Sequence, residues 1–209
     1  MAKFTSWKTI SALEKYRAAK YKQRRVLNET GWIDDRRLAV GACAGLSLEW
    51  CKLHKQKPDA AASKRMDAFK VGSKFEQIAW IADVLNNVGT TYAERLQMTC
   101  RAYLGQARPG VEVDLPEVTT YLDTNAGYSV VIMILSRAGG NTNHLCAMYQ
   151  SVTHLIFFDP NSGEYKVAND KRNDFFQQLE AQYRTYVTGA GQRDPVTIRQ
   201  WMFAAVTVM

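Results

Sequence analysis

Three residues in this chain could together activate a nucleophile. Cys43 stands in "VGACAGLSLEW" (40–50) with Gly41 and Gly45 around it. His144 opens the run "HLCAMYQ" (144–150), and Asp159 closes "THLIFFD" (153–159). A cysteine attacks a carbonyl as the thiolate, and a neighbouring imidazole takes its proton and favours the anion. A carboxylate on the far side of the imidazole orients the ring and keeps it basic.

The His144 and Asp159 runs predict one β-hairpin. With a two-residue turn at Ser151-Val152, Gln150 faces Thr153, Cys146 faces Phe157 and His144 faces Asp159. Directly opposed residues share a face of the sheet, with Cβ atoms about 4.5–5.5 Å apart, which is hydrogen-bonding reach for these two side chains. A slip of one residue would break the pair. Pro160 holds Asp159 extended, because a residue before proline is pushed out of the helical region. Asn161-Ser162-Gly163 then supplies turn residues. The same register turns His154 to the opposite face, so it is excluded as the base if His144 serves. The competing reading of the pair is a cross-strand ion pair with a purely structural role.

Cys43, Leu46, Trp50 and Leu53 recur at helical spacing, so a helix is predicted to begin near Cys43. A cysteine at a helix N-terminus meets unpaired N–H groups and the positive end of the macrodipole, both of which favour the thiolate. Its own N–H is then a candidate oxyanion donor, and flanking glycine allows a substrate backbone to approach. The alternative is a cysteine packed on the core side of the helix. Cys51, Cys100 and Cys146 read as such packing thiols, and His54 as a surface histidine. The four cysteines are dispersed without a C-x-x-C pair, so they are read as reduced, and no metal site is expected.

The elements that must position these groups follow from periodicity. Helices are predicted over 7–25, from Cys43 onward, and over 57–70, 73–87 and 90–104, with a shorter one over 115–125. "GQARPG" (105–110) breaks the helical texture. Strands follow over 127–136, 144–150, 153–159 and 164–168, then a helix over 172–186 and a strand over 197–209. Helices followed by an antiparallel meander make an α+β layout, a helical part carrying the cysteine against a sheet carrying the histidine and aspartate. The division expected is a basic helical segment over 1–30 and one domain over 31–209.

The chain has 209 residues, 46% of them hydrophobic, in keeping with one substantial folded domain. Its longest apolar run, "YSVVIMIL" (128–135), is of strand length. The first residues lack the apolar core and cleavage site of a secretory signal peptide. The net charge of +7 gathers in residues 1–25. That cluster is either a solvated helix face or a docking surface for an anionic membrane or acidic partner. No motif points to specific nucleic acid binding. The chain is read as a monomer without cofactor.

"GACAGLSLEW", "NHLCAMY" and "FFDPNSGEY", in this order, resemble the YopT/AvrPphB-type cysteine peptidases, papain-like enzymes that bacterial pathogens deliver into host cells. The resemblance runs from about residue 38 to 186 and includes the aromatic helix "DFFQQLEAQY". It implies a papain-like fold in which Cys43 attacks, His144 moves the proton and Asp159 orients the ring. It also implies a protein substrate, delivery by a dedicated secretion system, and action in the target-cell cytoplasm or at its membranes. Deamidation of a glutamine or acyl transfer would use the same triad, and a non-catalytic basic adaptor is the third alternative. Papain-like enzymes usually carry a Gln or Asn shortly before the cysteine to bind the oxyanion. "WIDDRRLAVGA" (32–42) has neither, and Asp35 or Arg37 stands in that region.

Overall fold

The computed structural model describes residues 11–71, 73–87, 91–137, 140–184 and 196–209. A short helix α1 (Ser11–Glu14), strand β1 (Arg17–Lys20) and helix α2 (Gln23–Glu29) lead into the long helix α3 (Arg36–Gln56). Helices α4 (Ala62–Ala68), α5 (Ser73–Asn87) and α6 (Tyr92–Leu104) follow. Short strands β2 (Gly105–Ala107) and β3 (Val111–Val113) precede α7 (Val118–Thr124). The meander is β4 (Gly127–Arg137), β5 (Gly140–Gln150), β6 (His154–Asp159) and β7 (Gly163–Ala168). Helix α8 (Arg172–Arg184) and strand β8 (Thr197–Val208) complete the chain.

The strands form one antiparallel sheet in the order β1-β7-β6-β5-β4-β8-β2, with β3 also on β8. Both faces are covered. Leu145, Ala147, Ile156 and Phe158 face one apolar cluster with Leu46 and Trp50 of α3 and Ile78 of α5. Cys146, Met148, Leu155 and Phe157 face the other, with Phe175, Phe176 and Tyr183 of α8. A strand buried on both faces has no polar side to alternate, which is why "YSVVIMIL" is apolar throughout. This is the α+β architecture expected from the sequence. Among the described residues no helix is long and apolar enough to cross a membrane.

Three local expectations need correction. The helix predicted over 7–25 does not form as one element: Arg17–Lys20 is an edge strand on β7, between α1 and α2. The segment "RAAK" has helix-forming composition, and its sheet pairing outweighs that weak preference. Residues 1–10 lie outside the described residues. The single basic face is therefore absent from 11–25, where Lys15 pairs with Asp174, Arg17 with Glu14 and Arg25 with Glu29. Secondly, α3 begins at Arg36, seven residues before Cys43, because Asp35 caps it by accepting from the Arg37 N–H. Thirdly, "GQARPG" and the residues after it contain β2 and β3, which pair with β8.

The helical layer has polar ties as well as apolar packing. Glu49 of α3 accepts from Lys74 of α5 at 2.6 Å and from the Tyr103 hydroxyl of α6. Glu164 of β7 accepts from Trp50 Nε1 at 2.8 Å and from Arg65 of α4 at 2.5 and 2.9 Å. Arg65 and Glu164 are buried, and the paired geometry satisfies both charges. Gly45 sets how closely α3 meets α5, since a Cβ there would lie 2.7 Å from the Ile78 carbonyl oxygen. Its role is helix packing rather than the substrate approach predicted for it. The surroundings of Gly41 lie outside the described residues.

Candidate active site

The hairpin forms, but its turn is longer than predicted. Gln150 pairs with Leu155, not Thr153, and Ala147 with Phe158. Ser151 stabilises the longer turn: its Oγ accepts from the His154 N–H at 3.0 Å and donates to the His154 carbonyl at 2.8 Å. The two extra residues shift the register by an even number, so every side chain keeps its face. Asp159 is now opposite Cys146, and His144 reaches it diagonally. His144 Nε2 lies 2.8 Å from Asp159 Oδ1. His154 is on the other face, with Ile156 and Phe158.

Asp159 is fully buried and has three further donors. Its Oδ1 accepts from the Asn161 N–H at 2.8 Å, an Asx turn directed by the proline between them. Its Oδ2 accepts from Ser162 Oγ at 2.5 Å and from Tyr183 Oη at 3.2 Å. Burial works against this carboxylate, yet His144, Ser162 and the Asn161 N–H outweigh it and hold its pKa below 3.8. The turn is buttressed from the N-terminal segment: the Gln23 N–H donates to the Pro160 carbonyl at 2.8 Å. Gly163, at φ +127°, lies so close beneath β1 that a Cβ would sit 2.0 Å from the Ala19 carbonyl oxygen.

Cys43 arrives from the opposite layer. β6 pairs with β5 only from Ala147 onward, so among the described residues β5 from Gly140 to Cys146 has no strand on that side. Helix α3 fills the place. Ser47 Oγ donates to the Leu145 carbonyl at 3.1 Å, and the Leu145 N–H reaches the Cys43 sulfur one turn earlier. Burial raises the Cys43 pKa, but His144 and the N–H groups of Leu145 and Ala44 prevail and bring it below 9.0. Burial likewise opposes a charge on His144, and Cys146, Asp159 and Cys43 together carry its pKa well above 6.5. Since Nε2 faces Asp159, Nδ1 is the nitrogen left for the thiol.

The thiolate is thus favoured by His144 and nearby N–H groups, not by a helix terminus. Cys43 is inside α3, where its own N–H belongs to the helix ladder, which removes it as the predicted oxyanion donor. Asp35 and Arg37, also weighed for that role, are engaged at the start of α3, where Arg37 donates to Asp35 and to Glu76 of α5. Cys43 is the one partly exposed cysteine; Cys51, Cys100 and Cys146 are buried. Burial lifts Cys51 well above 9.0 and Cys100 to about 12.

Cys146 is also hydrogen-bonded to the His144 imidazole, but burial pushes its thiol to about 12. One ligand atom each from His144, Cys146 and Asp159 lies within 4.8 Å of the others. His54 is the clearest departure from expectation. It is 1% exposed, stacked 4.9 Å from Trp50, with Nδ1 2.8 Å from the Tyr128 hydroxyl, and burial lowers its pKa to about 4. Sequence reading did not single out Ser162, Tyr183 or Cys146 for the site. Ser162 was read as a turn former, Tyr183 and Cys146 as core, and their periodicity gives no further signal.

The fold and a stretch of sequence both have known counterparts. Residues 109–192 match the peptidase C58 family, described as Yersinia/Haemophilus virulence surface antigen. That span includes His144 and Asp159 but not Cys43. Over 93% of this chain and 100% of the other, the fold is similar to the crystal structure of the Pseudomonas avirulence protein AvrPphB, with a TM-score of 0.64 and 16% identity. The YopT/AvrPphB resemblance read from the motifs is thus met by both a family match and a papain-like fold. No curated protein matches the sequence.

Proposed function

We propose that this chain is a cysteine peptidase acting on protein substrates through Cys43, His144 and Asp159. The observation that carries the reading is His144 lying 2.8 Å from a buried carboxylate while lowering the pKa of the partly exposed Cys43. The peptidase C58 match over 109–192 and the AvrPphB-like fold support it.

In this reading the Cys43 thiolate attacks the carbonyl carbon of a peptide bond. The protonated His144 gives its proton to the departing nitrogen as the C–N bond breaks, leaving a thioester on Cys43. His144, now neutral, takes a proton from water, and the hydroxide displaces the thiolate to release the acid. Asp159 stays ionised throughout and fixes the ring. The reading extends to an effector delivered into another cell, in line with the virulence description of the matched family.

The test is mass spectrometry of target-cell proteins exposed to wild type and to Cys43→Ala. New N-termini that require Cys43 are expected. Glutamine-to-glutamate conversion without new N-termini would replace peptidase with deamidase, and no Cys43-dependent change would overturn the enzyme reading.

A further inference from the structure

Cys146 is the one group at the site that the proposed mechanism leaves idle. It follows His144 by two residues on β5, so both side chains share a face. Continued one step past the last pair, Ala147 with Phe158, the register puts Asp159 opposite Cys146. A thiol, an imidazole and a carboxylate therefore converge, with one ligand atom from each inside 4.8 Å. Such a mixed sulfur, nitrogen and oxygen set suits zinc, whose bonds of about 2.0–2.3 Å bring ligands this close. The carboxylate is already held by Ser162, Asn161 and Tyr183, the kind of outer hydrogen bonding that orients metal ligands.

We propose that His144, Cys146 and Asp159 form an inhibitory site for Zn2+, three protein ligands with the fourth position left to water. Binding replaces the Cys146 thiol proton and one His144 ring proton with bonds to zinc and releases both protons to solvent, with no change of oxidation state. The ion occupies the imidazole and carboxylate that otherwise serve Cys43, so bound zinc silences the thiol. The metal site itself stands on the three convergent ligands; only its inhibitory effect rests on the peptidase reading.

The experiment is titration of the full chain with Zn2+ against a chromophoric chelator, paired with iodoacetamide labelling of Cys43. One zinc per chain is expected in wild type. Cys146→Ala should weaken binding by at least about tenfold, as loss of a ligand costs no less than loss of an outer-shell partner. Cys51→Ala, which removes a buried thiol away from the cluster, should leave zinc affinity unchanged and controls for general loosening of the fold. Zinc should slow Cys43 alkylation in wild type, and a chelator should restore it. Absence of stoichiometric binding, equal affinity in Cys146→Ala, or equal weakening in Cys51→Ala would overturn the proposal. If Cys43 proves no more reactive than Cys51 without metal, the peptidase reading falls while the titration still decides the zinc site.

Discussion

His144 has two neighbourhoods that are built differently. On the Asp159 side, three donors besides the histidine converge on a buried carboxylate. Two of them come from the next three residues of the same turn. On the Cys43 side, the thiol comes from a helix a hundred residues earlier in the chain, docked where β5 outruns β6. The first side is fixed mainly by local chain geometry, the second by how α3 packs. A site assembled this way should lose the position of its thiol before it loses its histidine–carboxylate pair.

The largest expected effect comes from the buried Arg65–Glu164 pair, which lies in the α3 layer with Trp50. Glu164→Ala leaves Arg65 charged and unpaired and should cost about 3–5 kcal/mol. Denaturant unfolding measures it, and a loss below about 1 kcal/mol would show that the pair does not anchor α3. Ser162→Ala attacks the other side. It removes a hydrogen bond to a buried carboxylate, worth about 1.5–3 kcal/mol, and should also move the acid limb of stability. Asp159 has a lowered pKa, so its contribution is present above 3.8 and is lost as pH falls through its folded value. Without Ser162 that value rises, and acid unfolding should begin at higher pH. His144 has the opposite sign. Its raised pKa adds stability that is complete below 6.5 and fades as pH rises through the folded value. Gly45→Ala should cost about 1–3 kcal/mol by overpacking against Ile78. By displacing α3 it should slow Cys43 alkylation more than it alters His144 titration by NMR; equal effects on both would remove the contrast between the two sides.

The same contrast runs through what the sequence made legible. The β4–β7 meander could be read because turn residues and β-branched runs bracket each strand. The shared face of His144 and Asp159 survived an incorrect turn length because side-chain direction depends only on whether the shift is odd or even. The nature of the turn was hidden in Ser151, whose side chain supports two more loop residues than the shortest hairpin has. The Cys43 side was less legible. The apolar stripe starts at Cys43 and so put the helix boundary there, but Asp35 caps the helix two turns earlier, and Gly45 answers to Ile78 of another helix. β1 was invisible for a related reason: Arg17–Lys20 becomes a strand only because β7 offers it an edge. His54 looked exposed among polar neighbours, yet Trp50, Tyr128 and Tyr149 enclose it. For Gly45, β1 and His54 the deciding partner lies far along the chain.

The central claim, a Cys43 thiolate sustained by His144, is tested most directly by the pH dependence of iodoacetamide labelling, resolved by cysteine. Wild type should label Cys43 at mildly acidic pH while Cys51 stays unlabelled, and His144→Ala should lose at least about tenfold of that rate, the equivalent of one pKa unit in the thiol. Labelling of Cys43 no faster than Cys51, or unchanged in His144→Ala, would contradict the account.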